Sequence, residues 1–245
     1  MTPPNVPGRT LLLEIERQPT DTTCGPTCLH AVYRYYGEEI SLDEVVRQVV
    51  PLSTGGTLAV HLGNHARRRG YRATIYSCNL QLFDPTWFRD GGDLRTRLRD
   101  QAHAKDDRKL REATEAHLQF MELGGTVLFG EITPDRLHAY LGQGVPLLAG
   151  VSATYLYGSP REVDDKPDST KGHPVGHFVV LCGAEPDQGR VLVADPLEDE
   201  PTNRSHFYWV GTDRLMASIL LGVLTYDASV LVIEPEGSGE DSVRA

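Results

Sequence analysis

The stretch Gln18-Pro19-Thr20-Asp21-Thr22-Thr23-Cys24-Gly25-Pro26-Thr27-Cys28-Leu29, running on to Tyr35-Tyr36-Gly37, decides the fold. Asp21-Thr22-Thr23 is a polar turn, and Cys24 opens a helix behind it. Cys28, Leu29, Val32, Tyr35 and Tyr36 recur at helical spacing, and Gly37 ends the run. Cys24 therefore stands at a helix N-terminus, where backbone N–H groups lack partners and the partial positive charge favours a thiolate. Pro26 in the first turn forfeits no helical hydrogen bond, and Gly25 leaves the sulfur uncrowded. The competing reading is a buried small side chain, the commoner fate of cysteine. Gln18, six positions upstream, can reach back over the helix start and join the Cys24 N–H in donating to an oxyanion.

Late in the chain, Gly176-His177-Phe178-Val179-Val180-Leu181-Cys182 and Val191-Leu192-Val193-Ala194-Asp195 are apolar runs around a turn centred near Pro186 to Gln188. Antiparallel pairing of the two brings Asp195 nearly opposite His177, within a few residues, and on the same face. A carboxylate so placed orients an imidazole and stabilises its cation. A satisfied core histidine and a strand-end aspartate before Pro196 read equally well from this spacing alone.

These motifs resemble the bacteriocin-processing (double-glycine leader) cysteine peptidases, a papain-like group. The resemblance rests on Gln18 to Leu29 with Tyr35-Tyr36-Gly37, on Ser41-Leu42-Asp43-Glu44, on Gly70-Tyr71-Arg72-Ala73, on Gly176 to Leu181 and on Val193-Ala194-Asp195-Pro196. It covers about residues 10–80 and 135–235. It implies an α+β papain-like fold, with a helical lobe carrying Cys24 packed on an antiparallel sheet carrying His177 and Asp195. It also implies a Cys24, His177, Asp195 triad with Gln18 at the oxyanion, acting on a peptide or isopeptide bond through a thioester. The family usually has Asp just before the nucleophile; here it is Thr23. The same triad also suits a thiol acyltransferase, amidase or deamidase. A non-catalytic peptide-binding module would lose a triad position, and all three are present.

The remaining sequence sets the boundaries. The 245 residues, 40% apolar and 24% charged, suit one domain over 1–234, with a disordered tail over 235–245. Two insertions are expected: a charged helical segment near 83–125, a lid or a solvated helix pair, and a loop near 158–172. A net charge of −10 argues against nucleic acid, whose phosphates need a basic face. Four irregularly spaced cysteines do not read as a disulfide framework. No signal peptide precedes the domain, and no apolar run approaches the ~20 residues of a membrane helix. A cytoplasmic peptidase of a peptide or protein substrate, with no cofactor or metal, is the expectation; oligomeric state is not read. His61 and His65, four apart without a following Glu, are read as surface histidines, Cys28 as a packed core thiol, and His173 as a cleft neighbour without a role.

Overall fold

In the computed structural model the described residues are 9–237, apart from 54, 90, 131 and 198–204. In chain order the elements are β1 (Arg9–Thr10), α1 (Cys24–Tyr35), α2 (Leu42–Gln48), α3 (Ala59–Arg68), β2 (Tyr71–Ser77), α4 (Leu94–Ala104), α5 (Arg108–Glu122) and β3 (Thr126–Phe129). They continue as α6 (Pro134–Gln143), β4 (Leu147–Ser152), α7 (Ala153–Tyr157), β5 (Glu162–Val163), β6 (Lys166–Pro167), β7 (Gly176–Glu185), β8 (Arg190–Ala194), β9 (Phe207–Gly211), α8 (Thr212–Leu221) and β10 (Ser229–Pro235). The main sheet runs β3-β2-β10-β4-β7-β8-β9, with β1 also on β7. Every pair in it is antiparallel except β2 with β3. This is the α+β papain-like arrangement: helices α1 to α3 from the first third against a mostly antiparallel sheet whose strands come mainly from the last two thirds.

Local chemistry accounts for the element ends. Ser41 Oγ accepts from Glu44 N and starts α2. Thr133 caps α6 ahead of Pro134, and Gly144, in the left-handed region, closes it. Central strand β4 is buried along its whole length, so both faces of its run Leu147 to Ser152 are apolar or small. The helical layer meets the sheet where Cys28, fully buried, donates its Sγ–H to Phe178 O of β7 at 3.2 Å.

Several local expectations differ. Leu11 to Ile15 is irregular, though Leu11 and Leu13 are buried and Leu11 N donates to Cys182 O. Thr57 does not cap α3; Leu58 holds the N-cap position and the Thr57 hydroxyl faces His61 Nδ1 at 3.4 Å. His61 and His65 are buried, not surface residues, because α3 is packed between α1 and α5. Burial holds both well below the usual histidine range, at about 4. His65 is satisfied by the Tyr33 hydroxyl at 2.8 Å and Gln48 Oε1 at 3.0 Å. β10 extends through Pro235; the expected tail beyond 237 lies outside the described residues, as does Glu131, expected at the end of β3.

Candidate active site

Cys24 is the first residue of α1, and the turn before it is folded on itself. Thr23 Oγ1 donates to Thr20 O at 2.8 Å and accepts from Thr20 N at 3.0 Å. The N-cap side chain is thereby drawn away from the helix and makes no capping bond. The N–H groups at the start of α1 stay without a side-chain acceptor, next to the sulfur. Gly25 allows Thr57 to close over this end, since a Cβ there would lie 2.4 Å from Thr57 Cγ2.

His177 sits near the start of β7, in the middle of the sheet. The register pairs Val180 with Ala194, with an irregularity between Leu181 and Gly183. Asp195, just beyond β8, therefore reaches His177 diagonally from a position nearer Val179. The two side chains meet: His177 Nε2 donates to Asp195 Oδ1 at 2.8 Å, and both are buried. With Nε2 engaged, Nδ1 is left for the Cys24 sulfur, which shares the cleft with His177 and adds to the rise in its pKa.

Asp195 is saturated with donors. Oδ1 also accepts from Leu197 N at 3.0 Å, and Oδ2 accepts from the Tyr157 hydroxyl at 2.6 Å and the Tyr208 hydroxyl at 2.8 Å. Burial alone would push this carboxyl up, but His177 and these hydrogen bonds hold it below the usual carboxylate range. Burial likewise opposes the imidazolium, yet Asp195 and Cys24 raise His177 well above its ordinary value. The sequence brings forward His177 and Asp195 but not Tyr157, which ends a five-residue helix. A signal for Tyr208 exists in the strand register: it pairs with Val193, two residues before Asp195 and on the same face.

Gln18 is buried in the loop before α1. Its N–H donates to Pro196 O at 3.0 Å, tying the loop to the residue after Asp195. Its Nε2 donates one hydrogen to Thr20 O at 3.0 Å, and Oε1 has no partner among the described residues. His173 is exposed and bridges to Glu162 through its backbone. Cys28 is a core thiol that burial, then Cys24 and Asp195, push well above the ordinary thiol range.

Cys24 and His177 line a cleft of about 250 Å³ with Leu52, Gly56, Lys109 and Asp227. Asp227 is a second buried carboxyl there. Burial pushes it up to about 7 against the pull of Lys109, the Thr225 hydroxyl and His177. Larger hollows lie elsewhere, including one of about 520 Å³ lined by His61, Asn64 and Glu112, but neither Cys24 nor His177 faces them. Among the described residues no group of His, Cys, Asp and Glu is arranged to hold a metal ion. None of the helices there is long and apolar enough to cross a membrane.

Residues 13–89 match the Peptidase C39 family, a segment that contains Gln18 and Cys24. No curated protein sequence gives a significant match. Among solved structures, a C39-like peptidase from Bacillus anthracis superposes with a TM-score of 0.51 at 13% identity, over 92% of this chain and 96% of that one. The peptidase domain of Streptococcus ComA, a bifunctional ABC transporter of a quorum-sensing pathway, gives 0.45 at 12% identity, over 91% and 98%. A double-glycine-motif protease from an AMS/PCAT transporter, solved with its leader peptide, gives 0.45 at 14% identity, over 92% and 94%. With the family segment at its start and the Bacillus anthracis fold over most of its length, the chain has a papain-like architecture and is similar to the C39-like peptidases.

Proposed function

We propose that Cys24, His177 and Asp195 form the triad of this peptidase and that a peptide bond is cut through a thioester on Cys24. The observation that carries the reading is the 2.8 Å His177–Asp195 hydrogen bond in the cleft that Cys24 also lines. His177 Nδ1 takes the thiol proton, and the sulfur attacks the carbonyl carbon. The C–N bond breaks as His177 returns that proton to the leaving amine. Water then attacks the thioester with His177 as base, releasing the acid and restoring the thiol. Asp195 keeps the imidazole oriented and balances its charge without itself becoming protonated.

The oxyanion is met by the Cys24 N–H at the uncapped start of α1 and by Gln18. Gln18 Nε2 carries two hydrogens, of which Thr20 O takes one, so one remains for substrate. Gln18→Ala should lower kcat by about 100- to 1,000-fold, the usual loss for one oxyanion donor; an unchanged rate removes Gln18 from the site.

The test of the whole reading is Cys24→Ala on a peptide library, alongside alkylation of the unmodified protein. Turnover should vanish with the fold intact, and iodoacetamide near neutral pH should modify Cys24 ahead of Cys28, Cys78 and Cys182. Persisting turnover would place the nucleophile elsewhere.

A further inference from the structure

Beside the reacting pair lies a carboxyl that the chemistry above does not use. Asp227 is 7% exposed, lines the cleft with Cys24 and His177, and has an Oδ1 without a hydrogen-bond partner among the described residues. A buried acceptor left unpaired is costly, and folded chains rarely keep one without a use. The surrounding residues hold it in place. Asp227 N donates to Gly222 O at 2.9 Å, and the Thr225 hydroxyl, which donates to the same Gly222 O at 3.1 Å, lies beside the carboxyl. Tyr226, between them, has φ 72°, a left-handed conformation that a bulky residue adopts only when its surroundings enforce it. Gly176, next to His177, lets the carboxyl approach β7 closely, since a Cβ there would lie 2.7 Å from both Asp227 Oδ2 and Thr225 Oγ1.

The charges around the opening favour a cation. Asp21 lines the cleft as well, a second carboxylate beside Asp227. The nearby cation, Lys109, is otherwise engaged: its Nζ donates to Thr225 O at 3.2 Å and lies 4.6 Å over the Tyr226 ring, with no ion pair to Asp227.

We propose that Asp227 is the acceptor of a cation-recognition subsite beside Cys24, taking an amine-bearing side chain of the peptide substrate next to the scissile bond. The proposal rests on Cys24 and His177 being the reacting pair, since they define what lies beside the bond. An ammonium group against the Asp227 carboxyl supplies a partner and offsets the buried negative charge.

The test measures binding without turnover. The Cys24→Ala protein is titrated with hexapeptides in which one lysine is moved through the six positions, each matched by the same peptide with norleucine. At one position lysine should bind about tenfold or more tightly than norleucine, the scale of one charge-assisted hydrogen bond. Adding Asp227→Asn should bring that ratio close to one. Asp227→Ala, which removes the carboxyl outright, should do the same and stands as the second variant if the asparagine protein does not fold. No lysine preference at any position, or a preference that survives these changes, overturns the subsite. Loss of the peptidase reading is visible separately: it would appear as turnover persisting in Cys24→Ala, with the binding ratio unaffected.

Discussion

At the scale of single residues, the site is organised around Asp195 as much as around the sulfur. Four donors converge on one carboxylate, two of them phenol hydroxyls from α7 and β9. Hydrogen bonds to the anion lower its pKa, so removing them lets Asp195 take a proton at higher pH. Tyr157→Phe with Tyr208→Phe should therefore lower kcat/KM about 10- to 100-fold, two charged hydrogen bonds being lost. The acid limb of the pH–rate profile should move to higher pH, and each single variant should fall between. A merely structural role would lower the melting temperature and leave that limb where it is. Part of this was legible in the sequence. Cys24 at a helix start and His177 and Asp195 on neighbouring strands announce themselves by residue type and by period. Tyr157 and Asp227 do not, because each reaches the site from a short or irregular segment whose placement only tertiary packing decides.

At the scale of elements, the charged segment between β2 and β3 folds as two amphipathic helices, α4 and α5, that lie over the core on a thin apolar stripe including Leu98 and Leu110. Leu98, Leu110, Ala113 and Phe120 are fully or almost fully buried, and α5 lies against α3. The Phe120 ring occupies the space over Gly63 and Gly125, where a Cβ would sit 2.7 and 2.4 Å from it. That contact is why Gly63 can stand inside α3 despite its low helix propensity. Phe120→Ala should cost about 3–5 kcal/mol, as for a buried aromatic replaced by a cavity. Chemical denaturation checks this; a loss under about 1 kcal/mol would mean the two helices are only loosely applied. Because Lys109 at the start of α5 reaches the cleft, the same variant should also weaken peptide binding.

At the scale of the whole molecule, the His177–Asp195 contact joins β7 to the end of β8, while Gln18 N on Pro196 O and Cys28 on Phe178 O lock the early segment to the same strands. Its contribution to stability has a definite pH window. His177 is raised, so its share is complete below the unfolded value of about 6.5 and fades as pH climbs through the folded one. Asp195 is lowered, so its share is complete above about 3.9 and fades as pH falls through the folded value. The pair thus stabilises fully between about 4 and 6.5. Other groups slope the overall curve: burial holds His61, His65 and His117 to about 4, which costs stability below about 6.5. Asp227, raised to about 7, costs stability as pH rises towards that value. Subtracting the unfolding free energy of Asp195→Asn from that of the unmodified chain cancels those slopes. The difference should be greatest within the window, about 3–5 kcal/mol for a broken buried pair, and should narrow on both sides. A difference that stayed flat from pH 4 to 9 would mean that His177 and Asp195 are not charged partners in the folded chain.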